Sequence, residues 1–142
     1  MRLVLDTATM VAAIRSNAGA SNRLLAAGLE RRFALLVSTP LLIEYEAVMT
    51  RSEHLLASGL TNGEVAMVLD AVAATAEPVR LAFLWRPAVR DPDDDMVLEV
   101  AANGQADAIV TFNLRDFSAV AGRFGIEVLS PGAALRRLEM KR

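Results

Sequence analysis

Short apolar runs alternate with longer stretches of helical periodicity along this chain, a pattern that predicts a mainly parallel sheet covered by helices on both faces. Leu3 to Leu5 is an apolar run that ends at Asp6 and reads as a buried strand, with a helical segment from Val11 to Ile14 behind it. Small and polar residues from Asn17 to Ser21 punctuate the chain, and Leu24, Leu25 and Leu29 mark a helix that stops near Arg31. Ala34 to Ser38 reads as the second strand. Thr39 and Pro40 signal a helix start, the threonine as cap and the proline at the first helical position, where no amide donor is missed. Leu41, Leu42, Tyr45, Val48 and Met49 then form one apolar stripe. Glu44 falls at its border, held by the core yet able to reach a cleft.

Thr61 and Glu64 have the spacing of a capping box, which opens a helix running to about Ala76; Pro78 ends it. Val79 to Leu84 is the expected third strand. Arg86, Pro87, Asp91 and Pro92 predict an extended loop, because a residue before proline is pushed out of helical geometry. A helix is expected from Asp94 or Asp95 to about Asn103, stopped by Gly104. Ala108 to Thr111 is a fourth strand, Phe117 to Phe124 a short helix, Ile126 to Leu129 a fifth strand, and Ser130 with Pro131 starts the last helix. The whole is one domain, residues 1–142, with no internal repeat or linker. Ser52 to Ala76 reads as a helical hairpin outside the strict alternation, a candidate clamp or dimer surface.

Acidic residues sit where strands end: Asp6, the acids among Asp91 to Asp95, and Asp116, joined by Glu44 near a helix start. Open α/β sheets place ligands at that rim. Like charges gathered there repel, and a hard divalent cation is the simplest compensation. Asp95 at the amino end of its helix, with Glu99 one turn on, belongs to this set. Each acid also has a structural reading: Asp91 and Asp93 suit a turn and cap beside Pro92, Asp94 competes with Asp95 as cap, and Glu44 alone is an ordinary solvated helix residue.

Composition narrows the chemistry. A chain of 142 residues buries roughly 68–70% of its unfolded surface and needs no staples. Cysteine is absent, so there is no disulfide, thiolate metal site or cysteine nucleophile. The single histidine, His54, reads as a surface residue, and no Gly-x-Ser-x-Gly, P-loop or dinucleotide fingerprint occurs. The lone lysine, Lys141, is badly placed for a phosphorylatable receiver domain. A net charge of −2 argues against coating nucleic acid by bulk electrostatics. Arginine is the dominant cation, however, and its planar fork suits phosphate: Arg86, Arg90, Arg115 and Arg123 flank the acidic motifs, and Arg136, Arg137, Lys141 and Arg142 form a basic tail. No apolar stretch approaches the ~20 residues of a membrane span, and no signal-peptide pattern is present, so a soluble cytoplasmic protein is expected, with no membrane partner.

Taken together, Leu5, Asp6 and Thr7; Leu41 to Glu44 with Val48 and Arg51; Arg90 to Asp95 with Val97 and Leu98; Ile109 to Thr111; Asn113 to Phe117; and Ile126 to Pro131 resemble a PIN domain from Met1 to about Leu138. The resemblance is to the branch of toxin components of toxin–antitoxin systems related to VapC. It implies a three-layer α/β/α fold with a central, mainly parallel sheet of about five strands. It also implies a Mg²⁺- or Mn²⁺-dependent endoribonuclease acting on single-stranded RNA, often a homodimer and neutralised by a cognate antitoxin. By motif position the catalytic acids are Asp6, Glu44, Asp95 and Asp116. The metal ligands are Asp6 and Asp95 with either Asp116 or Asn113. One position departs from the family: Ala8 stands where a small polar residue usually helps orient the first aspartate, a change of the kind that weakens metal sites, unless Thr7 or Thr9 substitutes. A PIN-like module that binds RNA or an antitoxin without cleavage is the alternative reading.

Overall fold

The computed structural model describes residues 1–82 and 92–140. Five strands, β1 (Arg2–Leu5), β2 (Ala34–Val37), β3 (Glu77–Pro78), β4 (Ala108–Val110) and β5 (Glu127–Leu129), form one sheet in the order β3-β2-β1-β4-β5. Every pairing is parallel. The fold is therefore the α/β arrangement expected, with β1 central and apolar beyond Arg2: Leu3, Val4 and Leu5 are fully buried.

The helices are α1 (Thr7–Arg15), α2 (Ala20–Leu29), α3 (Thr39–Met49), α4 (Ser52–Ser58), α5 (Asn62–Thr75), α6 (Pro92–Asn103), α7 (Leu114–Ala121) and α8 (Pro131–Met140), with a short 3₁₀ turn at Gly122–Phe124. Their apolar stripes, including Met10, Leu24, Leu41, Tyr45, Val65, Leu98, Phe117 and Leu135, close one core with the strands. The capping box at Thr61 and Glu64 forms as expected, and Ser130 Oγ accepts the Ala133 N–H at the head of α8. The helical hairpin between Ser52 and Ala76 is α4 and α5, bent by 86° at their junction. That pair together has the length and apolar content of a span, but α5 buries Val65, Leu69 and Val72 inside the domain. No single helix among the described residues is long and apolar enough to cross a membrane.

Four local expectations are corrected. Ser38, rather than Thr39, caps α3: its hydroxyl accepts the Leu41 N–H and Pro40 moves to the second helical position. The third strand is Glu77–Pro78, earlier than Val79 to Leu84. Pro78 terminates α5 in sequence terms, yet a sheet edge tolerates a residue without an amide donor, and the next ladder bond runs from Val79 N to Val37 O. Helix α6 begins at Pro92, so Asp94 and Asp95 lie inside its first turns instead of capping it. At its far end the left-handed residue is Gln105, with φ 52°, while Gly104 serves close packing: a Cβ there would stand 2.9 Å from the Val100 carbonyl oxygen and from Val79 Cγ2. The loop expected through Arg86, Arg90 and Asp91, and Lys141 and Arg142 of the basic tail, lie outside the described residues.

Candidate active site

In this strand order the chain reverses direction across the sheet between β1 and β4, and open α/β sheets form a crevice beyond the strand ends at such a switch point. Asp6 follows β1 and Thr111 follows β4. The two meet there: Thr111 Oγ1 donates to Asp6 Oδ2 at 2.5 Å. The other carboxylate oxygen accepts the Thr9 N–H at 2.9 Å, which makes Asp6 the cap of α1, and its own N–H continues the ladder to the Val110 carbonyl. Asp6 is thus held from three directions, only 5% exposed, at the positive end of a helix dipole.

A groove of about 680 Å³ opens beside it, and its lining includes the acids Asp6 and Asp94, Asn113, the cations Arg15 and Arg51 with His54, and the apolar side chains of Val11, Val48 and Phe112. Asn113 N donates to Thr111 Oγ1 at 2.9 Å, and its side-chain amide donates to Asp116 Oδ2. A continuous chain of bonds therefore ties Asp116, Asn113, Thr111 and Asp6 together. Beneath them, Tyr45 is buried and its phenol donates to the Leu5 carbonyl; burial first, and then the nearby Asp6 charge, raises the phenol far above its ordinary range.

The expected acids converge only in part. Asp6 and Asn113 line the groove, and so does Asp94; Glu44, Asp95 and Asp116 are not among its lining residues. Asp95 follows Asp94 by one helical step of about 100° and is 2% exposed; Glu99, one turn on, is fully buried. Among the described residues no three Asp, Glu or His side chains stand together as a ready metal cluster. The groups present nevertheless suit a hard divalent cation. The donors on the acidic side are all oxygens. In addition, the Thr7 hydroxyl is buried beside Asp6 with no hydrogen-bond partner, an acceptor and donor waiting for solvent or a ligand. Thr9 cannot take that role, since its hydroxyl is turned to the Val110 carbonyl. Of the two threonines that flank Ala8, Thr7 is therefore the one whose hydroxyl has no protein partner.

Several residues at the site are given no role by the sequence. Thr111 reads there as the last residue of a strand; its role as anchor of Asp6 depends on a partner 105 positions away. His54, read as a surface residue, is half-buried in the groove, with a buried Nδ1 that finds no partner. The arginines in the groove are Arg15 and Arg51, whereas Arg115 and Arg123 are exposed and not among its lining residues. Arg51 was visible only as part of the motif with Glu44 and Val48, and it is the packing of α4 beside α1 that brings both arginines into one groove with Asp6.

A strand-end aspartate bonded across the switch point, beside a groove lined by both acidic and basic side chains, gathers the charged groups of this α/β domain beyond the ends of its central strands. The chain belongs to the PIN domain family, which it matches over residues 2–115. Among solved structures it is similar to VapBC2 from Rickettsia felis bound to a DNA fragment from its promoter, with 15% identity and a TM-score of 0.64 over 92% of this chain and 98% of that one. That likeness extends to the fold. Comparison with curated proteins finds no match.

Proposed function

We propose that this protein is a Mg²⁺- or Mn²⁺-dependent endoribonuclease that hydrolyses phosphodiester bonds of single-stranded RNA, and that it is the toxin of a toxin–antitoxin pair. Membership of the PIN domain family supports a nuclease, and the fold likeness to VapBC2 supports an antitoxin partner. The observation that carries the reading is Asp6, a carboxylate fixed by Thr9 and Thr111 at the switch-point groove.

In this reading Asp6 and Asp95 hold the cation, Glu44 and Asp116 complete the acidic pocket, and either Asn113 or Asp116 is the last ligand. The cation, when bound, supplies charge neutralisation at the phosphate and an activated water. The chain's own residues do the rest. Thr111 and Thr9 keep Asp6 in one orientation, so no reorganisation is needed on binding. Arg15 and Arg51, which line the same groove, draw in the flanking phosphates. The proposed partners are the RNA, an antitoxin and a second copy of the chain, the last through the α4–α5 pair, where Leu56 and Met67 are exposed.

A second reading is favoured by Ala8, whose methyl lines the groove where a polar group is usual: a domain that binds RNA without cutting it. Labelled RNA incubated with purified, antitoxin-free protein in Mg²⁺, Mn²⁺ or chelator, beside Asp6→Asn, separates the two. Metal-dependent fragments that vanish in Asp6→Asn establish the nuclease. Well-folded protein that retains RNA in chelator and yields no fragments establishes the binder. Under the nuclease reading, expression of the wild-type chain arrests growth and expression of Asp6→Asn does not.

A further inference from the structure

Phe112 is left in water where a folding chain would be expected to bury it. Its side chain is 59% exposed and lines the groove, and it is the only one among the exposed large apolar side chains of the described residues to do so. The backbone on both sides is locked. Thr111 is fully buried, its N–H bonded to the Leu129 carbonyl and its hydroxyl to Asp6. Asn113 is bonded back to Thr111 and on to Asp116. The ring is therefore held out on a rigid turn, one residue from the side chain that fixes Asp6.

The same groove is lined by Arg15 and Arg51. Among the described residues neither guanidinium is engaged in an ion pair or side-chain hydrogen bond. Uncompensated cations in one groove with a pinned, exposed aromatic ring suit a ligand that is both polyanionic and flat. Ala8, Val11, Ala12 and Val48 also line the groove, and apolar surface alone would suit a protein segment; the two arginines add a demand for anions, and a nucleic-acid strand meets both, phosphates to the arginines and a base to the ring.

We propose that Phe112 is the stacking platform for one nucleobase of the bound strand, the base next to the phosphate at Asp6. The proposal deepens the ribonuclease reading and rests on it for the identity of the strand as RNA. Because every base offers a π-face, the platform selects for an unpaired, splayed base more than for its identity. Single strands are thereby favoured over duplex at this step.

The test is a binding cycle between protein and oligonucleotide, carried out in chelator so that no cleavage is needed. Wild type, Phe112→Ala, Phe112→Leu and Phe112→Trp are titrated with a short fluorescent single-stranded RNA and with a series carrying one abasic ribose at each position in turn. Stacking of one base is worth roughly 5- to 150-fold in affinity. Phe112→Ala should weaken binding to intact RNA within that range, Phe112→Leu should not restore it, and Phe112→Trp should. At one abasic position wild type and Phe112→Ala should bind alike, since each change removes the same contact.

Equal affinity of wild type and Phe112→Ala for intact RNA overturns the proposal and marks the ring as a contact for a protein partner instead. Additive effects at every position, or full rescue by leucine, also overturn it. The ribonuclease reading fails separately: absence of metal-dependent fragments with an intact binding cycle removes the nuclease and leaves Phe112 as the platform of an RNA binder, whereas fragments without coupling do the reverse.

Discussion

Asp6 has two tasks that substitution can separate, one in the fold and one in the proposed chemistry. Asp6→Ala removes the cap of α1, a loss of about 1 kcal/mol. It also deprives the fully buried Thr111 hydroxyl of its acceptor, at about 1–3 kcal/mol for a buried donor left unsatisfied. Relief of repulsion with Asp94, the other carboxylate lining the groove, offsets part of this, for a net destabilisation of roughly 2–3 kcal/mol. Asp6→Asn behaves differently. Asparagine caps as well as aspartate, its oxygen still accepts the Thr9 N–H, and the Thr111 hydroxyl can rotate to accept from the new amide. With the charge gone, Asn should lie within about 0.5 kcal/mol of wild type or slightly above it in the absence of metal. Urea unfolding and thermal melting followed by far-ultraviolet circular dichroism, both in chelator, read the difference; for a chain of this size the Ala variant should melt roughly 5–10 °C lower. Both variants should lose RNA cleavage. Equal stability of Asp6→Ala and Asp6→Asn would refute the reasoning, because it would mean that neither the cap nor the Thr111 bond contributes.

Tyr45 governs the alkaline limit. Its phenol is raised by burial and by Asp6, so the unfolded chain gives up that proton first; the stability it confers is complete below about pH 10 and is lost as pH rises beyond that. Denaturation midpoints measured between about pH 9 and 11 should fall for wild type and fall less for Tyr45→Phe, which at neutral pH is weaker by about 1–2 kcal/mol because the Leu5 carbonyl loses its donor. Gly104→Ala should cost about 1–3 kcal/mol in urea, since the added methyl meets the Val100 carbonyl as well as Val79 and Leu36. Arg51→Ala should leave the melting temperature unchanged and reduce the slope of log affinity for single-stranded RNA against log salt by about 0.7, the value of one phosphate contact; an unchanged slope would remove Arg51 from the proposed grip.

Much of the architecture was legible before any coordinates. The apolar runs ending at Asp6, Ser38, Thr111 and Leu129 mark four of five strands, and the capping box at Thr61 and the start at Ser130 mark helix beginnings within a residue. Such signals are complete within one turn of chain, because a cap, a stripe or a proline acts on its immediate neighbours. The misplacements share a cause. Ser38 displaced Thr39 as cap, and Glu77–Pro78 became the edge strand, since the choice between adjacent residues was made by burial and by pairing with β2.

The acids themselves were visible in the sequence as residue types at strand and helix ends, and the α/β class followed from the alternation of short apolar runs with helical stretches. Tertiary structure alone decided what faces what. The pairing of β1 with β4 brings Thr111 to Asp6 across 105 positions, the helical step between Asp94 and Asp95 leaves one carboxylate lining the groove and the other buried, and the packing of α4 beside α1 adds Arg15, Arg51 and His54 to the groove's lining. Local chemistry is written residue by residue, but a binding site is a relation between distant segments, and that relation is determined by which apolar faces bury together.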